Sequence, residues 1–216
     1  MISGILFDFD MTLIDTSPAL LFNINKIAKK FGLRKCTMDF LMERIGLNSR
    51  DFWVELLGSY KTEYMDYYRK ECMPTEAMRM APTPGAVECV TSLREMGIKV
   101  GCASNRVHPM RVIEAKGLAP LMDCVVGAEM VKNPKPAPDV LLLGAKLLHC
   151  TPEETIYVGD TDLDVEAAKR ANMRSIVLTT STPRAKLETV KPWQIIDTLK
   201  ELTPLLQNTG EFSKSS

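Results

Sequence analysis

In "ILFDFDMTLID" (residues 5–15) an apolar run of Ile5, Leu6, Phe7 and Phe9 encloses Asp8, and Asp10 stands just past it. Burying an unpaired carboxylate costs several kcal/mol or forces a pKa shift, so these acids call for an explanation. Further polar residues follow other apolar runs. "CASN" ends in Ser104 and Asn105, "KNPKPAPD" holds Lys135 in a Pro-flanked turn, and "VGDTDLD" brings Asp160, Asp162 and Asp164. Each has a plain structural reading as a turn or capping residue, and Asp162 ahead of "LDVEAAKRA" reads as a helix cap.

Together they raise an electrostatic problem. Two carboxylates ~4 Å apart repel by roughly 4 kcal/mol at an effective dielectric of 20. Three or four on one rim need a cation, and one lysine is insufficient. No His or Cys cluster competes for a soft metal, so a hard divalent ion such as Mg²⁺ fits. Mg²⁺, a lysine, a serine hydroxyl and backbone N–H groups make a phosphate site. An aspartate with a reference pKa of about 3.9 is ionised at neutral pH and attacks phosphorus without an activating base. Asp8 is the expected nucleophile. Asp10, two residues on, is placed to protonate the leaving alcohol and then to take a proton from water.

That convergence demands a particular scaffold. β-rich runs at 3–9, 98–104, 123–127, 155–159 and 175–179 alternate with helical patterns at 84–96, 107–117, 136–148 and 162–171. Gly97, Gly117 and Asn172 stand where helices would stop. The alternation predicts an α/β fold, a Rossmann-like parallel sheet with helices on both faces, whose ligands bind beyond the carboxyl ends of the strands. Residues 16–81 lack a convincing strand and show four helical patterns near 18–31, 37–45, 49–57 and 60–72, which predicts a small helical domain inserted after strand 1. Leu20, Phe22, Ile24, Ile27 and Phe31 are its expected core. The catalytic core is then 1–15 with 82–206, and the polar stretch 207–216 reads as a disordered tail.

Lys+Arg and Asp+Glu both number 27 in 216 residues, a balance that argues against nucleic-acid binding. The six cysteines show no metal-type spacing and read as reduced core thiols. With no signal-peptide pattern and no run of membrane-spanning length, the expectation is a cytoplasmic protein without a membrane partner, a monomer or small homo-oligomer.

The four motifs, in order and spacing, resemble those of the haloacid dehalogenase superfamily of phosphohydrolases over nearly the whole chain. "DFDMT" resembles the first motif, the strand ending in Ser104 the second, "KPAPD" the third and "GDTDLD" the fourth. The resemblance implies Asp8 as nucleophile, Asp10 as acid/base, and Mg²⁺ held by Asp8, the Asp10 carbonyl and Asp160, with Asp164 in support. It implies Ser104 and Lys135 on the phosphate, with Thr12 and Asn105 beside them. Lys132 competes for the lysine role, and "KPAPD" favours Lys135. The insertion resembles a type-1 cap that closes over small phosphorylated metabolites, and "GLNSRD" within it makes Arg50 a substrate-contact candidate. Met11 stands where many members carry Gly. The first functional expectation is a phosphatase resembling phosphoglycolate phosphatase. The alternatives are a phosphomutase resembling β-phosphoglucomutase and a non-catalytic phospho-ligand binder. Dehalogenation needs neither Asp10 nor an acidic fourth motif.

Overall fold

The computed structural model describes residues 1–45, 47 and 49–210. Its strands are β1 (Gly4–Phe7), β2 (Ile14–Asp15), β3 (Ala81–Pro82), β4 (Lys99–Ala103), β5 (Cys124–Val126), β6 (Thr155–Gly159), β7 (Arg174–Leu178) and β8 (Gln194–Ile196). Six of them form one parallel sheet in the order β5-β4-β1-β6-β7-β8. Every residue of β1 and β6 is buried, which is why they read as unbroken apolar runs. The strand order reverses between β1 and β6, and a crevice opens at the carboxyl ends of strands flanking such a reversal. Phe7 pairs in register with Cys102 on β4 and Val158 on β6, so the chain leaves all three central strands at one level.

Helix Asp139–Leu148 covers one face, packing Val140, Leu141, Ala145 and Leu148 into a core with Leu6 and Tyr157. Gly144 lets it come close, since a methyl there would meet Leu6 Cδ1 at 2.8 Å. Helices Ala86–Glu95, Met110–Ala115 and Asp162–Arg170 complete the expected alternation. Gly97, Gly117 and Asn172 all take positive φ, at 79°, 69° and 58°, and end their helices.

Three helices start later than the pattern predicts, each for a local reason. Gly85 is left-handed (φ 85°), as is His108 (φ 55°), and neither can begin a right-handed helix. Prolines at 134, 136 and 138 bias the residues before them away from helix, so the third begins at Asp139 rather than 136. Strand β8 is a further addition, too short at three residues to register as a period. Helix Leu202–Asn208 runs past 206 into the stretch read as a tail, and residues 211–216 lie outside the described residues.

The chain divides into two compact units, Met1–Ile14 with the chain from Pro82 onward, and Asp15–Ala81. The second is helical, with segments Ser17–Phe31, Met38–Met42, Ser49–Leu57 and Thr62–Tyr67, the last running on through a wide π turn at Tyr68–Cys72. Ile24, Ile27, Leu41, Trp53, Tyr64 and Cys72 form its core, with Leu20 and Phe31 partly buried against it. Phe22, expected in that core, is 41% exposed and carries the Arg79 guanidinium 3.5 Å from its ring centre. No described helix is long and apolar enough to cross a membrane.

Sheet packing around the site leaves little slack. A methyl on Gly101 would lie 2.4 Å from Cys124 Sγ and 3.0 Å from Leu6 Cδ2. Gly101→Ala is expected to cost about 1–3 kcal/mol, read as a lower urea midpoint at unchanged m-value. Adding Cys124→Ala removes the nearest clash, so the double variant should be less unstable than the two single losses added together. Simple additivity would contradict this packing.

Candidate active site

Lys135 is the centre of the polar cluster at the carboxyl edge of the sheet. Its ammonium donates to Asp8 Oδ1 at 2.7 Å, Asp164 Oδ1 at 2.6 Å and the Tyr157 hydroxyl at 2.9 Å, and all four residues are buried. Asn105 holds its backbone in place. The Asn105 amide accepts from Lys135 N at 2.7 Å and donates to Lys135 O at 3.0 Å. Tyr157 in turn donates to Ala103 O at 2.7 Å, tying β6 to the end of β4.

Asp160 lies one residue past β6 and is almost completely buried. Thr12 donates to its Oδ1 at 2.7 Å and the Ser181 hydroxyl to its Oδ2. Asp164 caps its own helix, its Oδ2 accepting from Asp160 N at 3.1 Å, Thr161 N at 2.9 Å and Thr161 Oγ1 at 2.7 Å. Thr161 and Asp164 therefore make the capping box, and Asp162, read from sequence as the cap, instead pairs with Lys186 at 3.1 Å.

Asp8, Asp160 and Asp164 each offer an oxygen within 4.8 Å of the others, and among the described residues they form the one trio able to hold a metal ion. Three carboxylates face one ammonium. Burial pushes the Asp8 carboxyl up to about 6, against the pull of Lys135 and with a further push from Asp164 and Asp10. Asp160 is driven well above the usual carboxylate range, first by burial and then by the charges of Asp164 and Asp8. Burial acts on Asp164 in the same sense, but Lys135 and the Thr161 donors outweigh it and hold it low. Lys135 stays protonated because Asp164 and Asp8 overcome its own burial. The surplus negative charge and the all-oxygen donor set fit a hard divalent cation.

The turn after β1 presents Asp10. Leu13 N donates to Asp8 O at 3.3 Å, Ile14 N to Phe9 O at 2.9 Å and Met11 N to Ile14 O at 2.8 Å. Met11 takes φ 60° at the apex and is buried, a left-handed conformation that suits Gly better and costs a Met about 1–2 kcal/mol. The Asp10 side chain is 41% exposed, and Arg106 Nη2 lies 3.5 Å from its Oδ1.

The structure thus brings Asp8, Asp10, Thr12, Ser104, Asn105, Lys135, Asp160 and Asp164 to one edge. Two of them are tied to other members of the cluster. The Asn105 amide bonds the Lys135 backbone through its oxygen and one N–H, and the Thr12 hydroxyl donates to Asp160. Lys132 is exposed, whereas Lys135 is buried within the acidic cluster. Arg50 lies exposed in the helical unit, with its guanidinium 5.8 Å from the Tyr60 ring centre. Tyr157, Thr161, Ser181 and Arg106 were not foreseen. A tyrosine among the aliphatic residues of "TIYVG" is the one readable signal, since a buried phenol needs a polar partner.

Residues 5–178 match the family model described as haloacid dehalogenase-like hydrolase, and the chain belongs to that family. It is 29% identical over 174 residues to a phosphoglycolate phosphatase of Aquifex aeolicus, covering 79% of this chain and 82% of that one. It is 28% identical over 173 residues to the pyrophosphatase PpaX of Listeria monocytogenes, covering 79% and 80%. A haloacid dehalogenase-like family hydrolase from Streptococcus pneumoniae shares the fold, with a TM-score of 0.82 at 17% identity over 95% of this chain and 98% of that one.

The electrostatics predict a pH dependence of the metal-free protein. Asp8 titrates near about 6 when folded and at ~3.9 when unfolded, so between these values the folded state binds more protons. Its contribution to stability is complete below pH ~4 and is lost as pH rises through about 6. Asp160 acts in the same direction, while Asp164, held low, is ionised in both states above this range. Urea unfolding in chelator should show stability falling with pH across this window, with a shallower fall in Asp8→Asn. Equal slopes would contradict the charge surplus.

Proposed function

We propose that this hydrolase cleaves the phosphate monoester of a small metabolite through an aspartyl-phosphate on Asp8, with Mg²⁺ at the Asp8, Asp160 and Asp164 trio. The observation that carries the reading is the buried Asp8–Lys135 pair at 2.7 Å, with the half-open Asp10 two residues on. Lys135 occupies Asp8 Oδ1, which orients the carboxylate and leaves Oδ2 as the attacking atom. The ammonium also lies where it can offset charge on the transferring phosphoryl oxygens. Asp10 protonates the leaving alcohol and afterwards accepts a proton from the water that attacks the aspartyl-phosphate. Ser104 Oγ accepts from Arg106 N at 3.3 Å, which leaves its hydroxyl hydrogen for a phosphoryl oxygen. When bound, Mg²⁺ supplies the positive charge that admits a phosphate dianion to a rim of carboxylates.

Substrate choice is assigned to the helical unit, with Arg50 as one contact. The names of the curated relatives support a small phosphorylated substrate. All six cysteines are free, which fits a reducing cytoplasmic compartment.

Two measurements test this. EDTA should abolish phosphate release and Mg²⁺ restore it, and full activity in a verified metal-free preparation would contradict the site. Asp10→Asn should lose ~10²–10⁴-fold on an alkyl phosphate and much less in the first step with p-nitrophenyl phosphate, whose leaving group needs little protonation. A loss independent of leaving group would remove Asp10 from the acid role. Phosphate release only after addition of a bisphosphate would mark a phosphomutase instead.

A further inference from the structure

Lys135 donates in three directions, to Asp8 Oδ1 at 2.7 Å, Asp164 Oδ1 at 2.6 Å and the Tyr157 hydroxyl at 2.9 Å. A lysine ammonium carries three N–H donors and no acceptor, so every donor is in use. The phosphoryl oxygens that Lys135 serves in the steps above therefore gain an N–H only when one of these partners gives one up.

The three partners differ in what that release costs. Asp8 is oriented by its bond to Lys135, which leaves Oδ2 to attack. Asp164 is fully buried, its Oδ2 already serving Asp160 N and Thr161, and Lys135 is the one donor to its Oδ1 among the described residues. Releasing it would leave a buried charged oxygen unsatisfied, which is the costliest kind of orphan. Tyr157 is neutral, and its hydroxyl hydrogen is committed to Ala103 O at 2.7 Å. It offers Lys135 a lone pair only, and it keeps the Ala103 bond when the N–H turns away. The ring, whose centre is 5.4 Å from the ammonium, stays beside the charge.

We infer that Tyr157 is a positioning residue that occupies one N–H of Lys135 until a phosphoryl oxygen takes its place. This rests on the phosphatase reading of the same site. In the free enzyme the phenol keeps the ammonium aimed and satisfied, and each arriving phosphoryl group must displace it. Tyr157 thereby weakens the hold on substrate and inorganic phosphate alike, and eases release of the product. A phenol that only braced the lysine would act in the opposite sense, since its loss would loosen Lys135 and weaken phosphate binding.

Tyr157→Phe keeps the ring and removes the lone pair, so the sign of its effect on phosphate affinity separates the two roles. The probe is inorganic phosphate with Mg²⁺ present, read as its inhibition constant against p-nitrophenyl phosphate hydrolysis. That constant should fall ~3–10-fold in Tyr157→Phe, the worth of about one hydrogen bond, with KM falling too and kcat not rising. A second readout works on the wild-type site. Tyr60, Tyr64, Tyr67 and Tyr68, the other tyrosines, all lie in the helical unit. In protein labelled with ¹³C at the tyrosine Cζ, elimination through Phe variants of those four identifies the Tyr157 signal even if Tyr157→Phe does not fold. Saturating phosphate should move that signal, because the phenol stops accepting a hydrogen bond. An inhibition constant unchanged or raised in folded Tyr157→Phe would overturn the inference, as would a Tyr157 signal that phosphate leaves in place. Either result leaves the phosphatase reading standing while the wild type turns over p-nitrophenyl phosphate. A wild type that hydrolyses no phosphate ester would defeat both.

Discussion

The buried ammonium of Lys135 joins Asp8, 127 residues before it, to Asp164, 29 residues after it. A buried ion pair adds little net stability, because desolvation consumes most of the Coulomb gain, yet removing one partner costs about 3–5 kcal/mol. The pairing therefore acts as a geometric constraint. It fixes the turn after β1, the Pro-flanked loop and the start of helix Asp162–Arg170 relative to one another. Asn105 and Tyr157 extend the constraint, Asn105 through the Lys135 backbone and Tyr157 to the end of β4.

The sheet makes that constraint possible. Reversal of strand order between β1 and β6 places Asp8 and Asp160 on neighbouring strand ends, with the end of β4 on the other side of β1. The arrangement is left one-sided in charge, with three carboxylates for a single lysine. Thr12, Ser181 and Thr161 donate hydrogen bonds to these acids, which moderates the surplus without cancelling it. A site of this kind gives up native stability at neutral pH and gains affinity for a cation, the exchange expected where function rather than folding sets the residue types.

Much of this was legible in the sequence, for physical reasons. Strands buried on both faces leave unbroken apolar runs, so five of the six sheet strands could be read, and charged residues ending such runs announce themselves. Lys135 could be chosen over Lys132 because the flanking prolines fix its turn. Other features were hidden because they depend on partners distant in the chain. Asn105 and Thr12 are ordinary phosphate-site residues by type, and only the fold shows that they bond Lys135 and Asp160. Arg106 gave no signal in the sequence, because only the fold brings Asp10 beside it. Phe22 fits the helical period of its segment, yet it lies under Arg79 at the surface, since period alone does not say how wide the buried stripe is.

The central claim is that Asp8 receives the phosphoryl group while Asp10 only moves protons. The most direct measurement is a single-turnover reaction with isotopically labelled phosphate monoester, quenched in acid within the first turnover and mapped by peptide mass. The account predicts one labelled acyl-phosphate on Asp8, absent in Asp8→Asn and accumulating in Asp10→Asn, where water attack lacks its base. Label on Asp10, or free phosphate released in the first turnover with no acyl-phosphate detected, would contradict it.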